Sequence, residues 1–138
     1  MRLPNNIVMA AIVVLTLLVS RPSLAEEQSI CADAQTTVEI GECVRKAFDE
    51  ADAELNVVWK QVMQTFKPND YMTAKELKTW KDTLTASQRA WIDFKENDCK
   101  SVSYEWWGGS GASNAVMFCL LDHTARRTQD LKERYLDR

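Results

Sequence analysis

Four cysteines, Cys31, Cys43, Cys99 and Cys119, constrain this chain more than any other feature of its sequence. An even number of cysteines in a short chain reads as two disulfides, provided that the chain leaves the reducing cytosol. The N-terminus supplies that condition. Arg2 precedes an apolar run of 13 residues from Ile7 to Val19, and Ser23-Leu24-Ala25 then gives a small-x-small cleavage site before Glu26-Glu27. This is the layout of a secretory signal peptide over residues 1–25. The run is too short for a bilayer span, which needs roughly 20 residues. Cleavage after Ala25 leaves residues 26–138, which is 113 residues and suits one domain with one core. None of the cysteines sits directly after the cleavage point, where Glu26 follows Ala25, so a lipid anchor is not expected there. A zinc site is the competing use of four cysteines, but no pair has the C-x2-4-C spacing that such sites favour.

Losing Arg2 and Arg21 with the leader from the 17 basic residues leaves 15 against 20 acidic ones, a net charge of −5. Nucleic acid is a poor partner for such a surface, because phosphate binding relies on clustered Lys and Arg. A cationic protein remains compatible with it, and no membrane span is expected in the mature chain.

The mature sequence reads as three helices. Thr36-Thr37-Val38-Glu39 is a capping box, in which the Thr36 hydroxyl accepts from the Glu39 amide while Glu39 reaches back. Behind it, Val44, Phe48, Ala51, Leu55, Val58, Val62 and Phe66 recur in steps of three and four, and Pro68-Asn69-Asp70 ends the pattern. Thr73-Ala74-Lys75-Glu76 is a second capping box, followed by Leu77, Trp80, Leu84, Ser87, Trp91 and Phe94, so the second helix is expected to end near Cys99. The pattern then breaks into a glycine-rich stretch up to Ala112. A third stripe follows at Met117, Leu120 or Leu121, Thr124, Thr128, Leu131 and Tyr135, with Ser113 or Asn114 as its expected cap. No alternation of period two survives, so the fold class is all-α: an antiparallel bundle of three helices with two disulfides, the first two helices forming a long hairpin.

Cys31 and Cys43, if joined by continuous helix, would stand about 18 Å apart, against a bridging Cα separation of about 6 Å. They are therefore not expected to pair. Matching levels at the bundle end favours Cys31 with Cys99 and Cys43 with Cys119, with the crossed pairing of Cys31 to Cys119 and Cys43 to Cys99 nearly as good. Either choice closes loops of roughly 70 residues, worth on the order of 4 kcal/mol each.

Catalytic chemistry has little support. His123 is the single histidine and sits on the third helix beside Asp122, where packing is the ordinary role. No G-x-S-x-G, phosphate-binding loop or H-E-x-x-H pattern is present, and no cofactor is implied. The carboxylate clusters Asp49, Glu50, Asp52, Glu54 and Asp93, Glu96, Asp98 read as solvated helix faces, and they lack the spacing of a calcium loop. The informative stretch is Tyr104, Trp106, Trp107, Gly108, Gly109 and Ser110. Two adjacent indoles on a glycine-rich loop cannot both enter one small core. They either anchor a partner, as rigid aromatic residues do well, or cap the open end of the bundle.

Cys31 with Thr36, Glu39 and Cys43, the segments Ala51-Asp52-Ala53-Glu54-Leu55-Asn56 and Ser87-Gln88-Arg89-Ala90-Trp91-Ile92-Asp93-Phe94, and Gly108-Gly109-Ser110 before Cys119 together resemble a known family. It is the family of small exported proteins related to the lysozyme-inhibitor lipoprotein LprI, and the resemblance covers nearly all of residues 26–138. It implies an exported helical domain with disulfides and, through the named member, inhibition of lysozyme. The preferred expectation is an exported, non-enzymatic binding protein, in the periplasm or outside the cell, that blocks a cationic lysozyme. The alternative is a periplasmic structural or envelope-stress module without an enzyme target, and a hydrolytic enzyme comes third.

Overall fold

The computed structural model describes residues 30–137, so the signal peptide expected at 1–25 lies outside the described residues. Three helices make up the fold: α1 (Thr37–Thr65), α2 (Ala74–Glu105) and α3 (Ala112–Tyr135). Both capping boxes form as the sequence requires. Thr36 Oγ1 accepts from the Glu39 amide at 3.2 Å while Glu39 accepts from the Thr36 amide at 2.9 Å, and Thr73 and Glu76 repeat the exchange at 3.3 and 2.8 Å. These bonds to the ionised form hold both carboxylates below the usual 4.5, through the amides of Gln35 and Thr36 for Glu39 and through Thr73 for Glu76.

The helices run up, down and up. Asn114 Nδ2 donates to the Thr37 carbonyl at 2.8 Å and Lys132 pairs with Glu54, so α3 lies parallel to α1 in constant register. In the other sense, Cys99 meets Cys119, Gln88 meets Arg127 and Trp80 meets Tyr135, so α2 is antiparallel to α3. The expected hairpin of α1 with α2 needs correcting on one point. Both helices pack chiefly on α3, and α1 and α2 approach each other far less than either approaches α3. One contact between them is an edge-to-face pair of Phe66 and Trp80 with ring centroids 4.6 Å apart.

Apolar burial concentrates in the half of the bundle where α1 ends. Leu55, Val58, Val62, Leu84 and Leu131 form the core, with Trp59, Met63, Phe66, Trp91, Tyr135 and Leu136 packed around it. The stripes expected on α1 and α3 are the buried faces, with Leu121 rather than Leu120 turned inward. On α2 the buried line is Leu84, Gln88, Lys95 and Cys99, whereas Trp80 and Phe94 are exposed. Two polar side chains thus occupy positions that an apolar pattern does not mark. Gln88 is satisfied on α3, where its Oε1 accepts from Arg127 Nε at 2.8 Å, whereas Lys95 Nζ only reaches Thr124 Oγ1 at 3.5 Å and has no ion-pair partner among the described residues.

The disulfides overturn the expected pairing. Cys31 joins Cys43 and Cys99 joins Cys119, with Cα separations of 5.9 and 5.5 Å. The 18 Å estimate assumed helix throughout residues 31–43, but the helix starts only at Thr37. Before it, the Ala34 amide turns back onto the Cys31 carbonyl at 3.1 Å and the Gln35 amide donates to Glu39 at 2.8 Å. The lead therefore doubles back along the first turns of α1 and brings Cys31 level with Cys43. Likewise α2 does not stop near Cys99 but continues to Glu105, which sets Cys99 opposite Cys119 as the two helices diverge from their connecting loop. Both bridges are local, closing spans of 12 and 20 residues, and each is worth about 3 kcal/mol in the chain-entropy model.

Candidate functional site

The loop between α2 and α3 lies at the end of the bundle where α1 begins. Three backbone bonds close it: the Trp107 amide to the Tyr104 carbonyl at 3.3 Å, Gly109 to Trp106 at 2.8 Å and Ala112 to Gly109 at 3.0 Å. Seven residues into α3 from Ala112, about two helical turns, Cys119 bridges to Cys99 and ties the two helices that carry the loop. α3 starts at Gly111 with no side-chain cap, so neither Ser113 nor Asn114 takes that role. Asn114 instead bonds across to α1.

The two tryptophans separate. Trp106 is half-exposed and its ring lies on Gly111, where a methyl group would come within 2.6 Å of the ring, so only glycine leaves the indole its seat. Trp107 is 95 % exposed and takes a φ of 47°, in the left-handed region, beside Gly108 at 75°. For a bulky residue this conformation costs on the order of 1–3 kcal/mol, and no burial of its indole offsets it. Tyr104 is also exposed, as are Gly108, Gly109 and Ser110. Of the six residues expected in the loop, Tyr104 lies instead in the last turn of α2, Trp106 packs over the bundle end, and Tyr104 and the other four face solvent.

Beside the loop, Trp106 forms one side of an open pocket of about 750 Å³ between the first turns of α1 and α3. Ile40 and Phe118 give it apolar walls, and Asn114, Asp122 and Arg126 supply polar edges. Arg126 Nε donates to Asp122 Oδ1 at 2.6 Å, which fixes that edge. The sequence reading missed Ile40, Phe118, Asp122 and Arg126 because they fall outside the apolar stripes. Ile40 and Phe118, large apolar residues lying off those stripes, were the available signal.

Acid–base and metal chemistry are not assembled around this pocket. His123 Nε2 lies 2.8 Å from Asp98 Oδ2 and packs edge-on against Phe94, a hydrogen-bonding and packing role. Cys99, Cys119 and His123 cluster closely enough to suggest a metal site, but the two sulfurs are bonded to each other and offer no thiolate. Within the acidic clusters, Glu54 pairs with Lys132 across to α3, and Glu50 with Lys46 at 4.0 Å and Asp52 with Asn56 at 3.1 Å pair within α1.

Fold and site together define a small all-α domain, stapled by two local disulfides, that presents an aromatic loop beside an apolar pocket. Residues 31–131 match the family model described as Lysozyme inhibitor LprI, and the chain belongs to that family. It is 30 % identical over 106 residues to an uncharacterized protein of Rhizobium meliloti (strain 1021), covering 75 % of this chain and 76 % of the relative. No solved structure matches it. No helix among the described residues is long and apolar enough to cross a membrane.

Proposed function

We propose that the protein is an exported, non-enzymatic inhibitor of a cationic lysozyme, and that the loop carrying Trp106 and Trp107 is the surface that engages the enzyme. The observation that carries this reading is Trp107, which holds an almost fully exposed indole in an unfavourable backbone conformation on a loop closed by backbone bonds. An exposed aromatic residue on a preorganised loop binds with little ordering cost, and such anchors dominate interfaces. Membership of a family described as lysozyme inhibitors supports lysozyme as the partner. The excess of acidic residues suits a cationic enzyme, and steering by opposite charge raises the association rate. A lysozyme cleft works through two carboxylates, so an inserted indole would act by excluding the glycan from them rather than by chemistry of its own.

The test is the rate of cell-wall hydrolysis by lysozyme in the presence of residues 26–138 with both disulfides formed. Saturable inhibition at micromolar concentration or below is expected. Absence of inhibition at that concentration would favour the reading as a structural or envelope-stress module.

A further inference from the structure

Two of the segments that carry the family resemblance, 51–56 and 87–94, lie away from the tryptophan loop. They face each other across the gap between α1 and α2, where Asp52, Leu55 and Asn56 line one wall and Gln88, Arg89 and Trp91 the other. The groove between them has a volume of about 550 Å³, within the range of small-molecule sites. Trp59, Phe48 and Trp91 make its aromatic sides, and Lys95 opens onto it from α2.

Lys95 is the anomaly. It is 7 % exposed, yet its ammonium forms no ion pair with any described carboxylate. Its partners are the Thr124 hydroxyl at the limit of hydrogen bonding, 3.5 Å, and the rings of Trp91 and Phe48 at 4.9 and 5.5 Å. A second cation lies over the same indole: the Arg127 guanidinium stands 5.8 Å from Trp91, and its Nη2 is buried with no partner. Burial pushes the Arg127 pKa down, with Asp130 partly offsetting the effect. Buried charges are ordinarily paired, because ring contacts return less than the lost hydration. Arg127 lies outside the groove, so the charge left without an ion-pair partner on its wall is the buried Lys95 ammonium, although Asp52 and Glu96 line the same groove.

We propose that the groove between α1 and α2 binds an N-acylated amino-acid carboxylate, whose anion sits on Lys95 and whose apolar body lies between Trp59 and Trp91. Asp52 and Glu96, which also line the groove, give it a negative edge that disfavours polyanions and accepts amide N–H donors. A single carboxylate on an amide-bearing body satisfies both signs. The site is independent of the tryptophan loop and does not rest on the lysozyme reading.

The probe is hippurate, the carboxylate of benzoylglycine, with its neutral amide as the control and N-acetyl-trialanine as a chain-end carboxylate. Titration of the oxidised mature protein is followed by the indole N–H resonances of Trp59 and Trp91. Saturable shifts with one or both carboxylates are expected, and the tighter of them distinguishes a free acyl amino acid from a peptide terminus. The neutral amide should bind at least tenfold more weakly. Lys95→Met, which keeps the stem length, should weaken binding at least tenfold and raise the thermal midpoint by removing a buried charge, and Lys95→Arg should retain binding. Equal shifts from the neutral amide, unchanged binding by Lys95→Met, or no binding of either carboxylate to the native protein would overturn the proposal. A lowered midpoint for Lys95→Met alongside absent binding would assign the lysine to cation–π packing alone.

Discussion

The two ends of this bundle are held together by different means. Where α1 ends and α2 begins, Val62, Leu84 and Leu131 pack with Phe66, Trp80 and Tyr135, and no cysteine is present. Where α1 begins and α2 gives way to α3, the loop turns Trp107 and Tyr104 out to solvent, and both disulfides lie there. Apolar surface used for display is not available for burial, and a covalent bond of about 3 kcal/mol substitutes for roughly one or two buried large side chains. Exposed aromatic residues occur at both ends, Tyr71 being 96 % exposed on the α1–α2 connection, so what sets the cross-linked end apart is that the main apolar core lies at the other end.

This division can be broken from either end. The largest effect is expected from Leu131→Ala, since Leu131 is 1 % exposed: a loss of about 2–5 kcal/mol in denaturant unfolding, with lysozyme inhibition per folded molecule unchanged. Replacing Cys99 and Cys119 together by serine should cost about 3 kcal/mol and, unlike the core variant, also weaken inhibition, because the helices that carry the loop are no longer tied. Equal inhibition by that variant would mean that the backbone bonds of the loop suffice to hold it.

How much of this was legible in the sequence depends on whether the deciding interaction was local. The capping boxes at Thr36 and Thr73 involve residues three apart and could be read directly, as could the apolar faces of α1 and α3. The continuation of α2 from Lys100 to Glu105 could not, because that turn and a half buries no large apolar side chain and so carries no periodic signal. Gln88, Lys95, Thr124 and Thr128 are buried through partners on another helix or through a backbone carbonyl one turn back, which a search for apolar periodicity passes over. The pairing of Cys31 with Cys43 was hidden by treating the capped lead as helix, although the Thr36 box itself marks where the helix starts. At the candidate site the tryptophans were visible as a motif, but their unequal exposure depends on Gly111 beneath one ring.

Smaller effects sharpen the contrast. Neutralising Asp49, Glu50 and Glu54 should slow association with lysozyme several-fold at low salt and less as the Debye length shortens, with little change in dissociation. Acid titration should show the least. Glu39 and Glu76 have folded pKa values below 4.5, so the stability they contribute is present above that pH and is lost as pH falls through the folded values. Glu76→Gln should therefore flatten the acid limb of the thermal midpoint in the oxidised protein. Glu39→Gln should do so less until the Cys31–Cys43 bridge is reduced, because that bridge holds the same lead in place.

The most direct measurement compares the inhibition constant against lysozyme of residues 26–138 with both disulfides formed with that of the Trp106→Ala, Trp107→Ala double variant, each checked for an unchanged helical circular dichroism spectrum. Inhibition more than tenfold weaker with the helical signal intact is the expected result. Undiminished inhibition by the double variant would contradict the assignment of the tryptophan loop as the inhibitory surface.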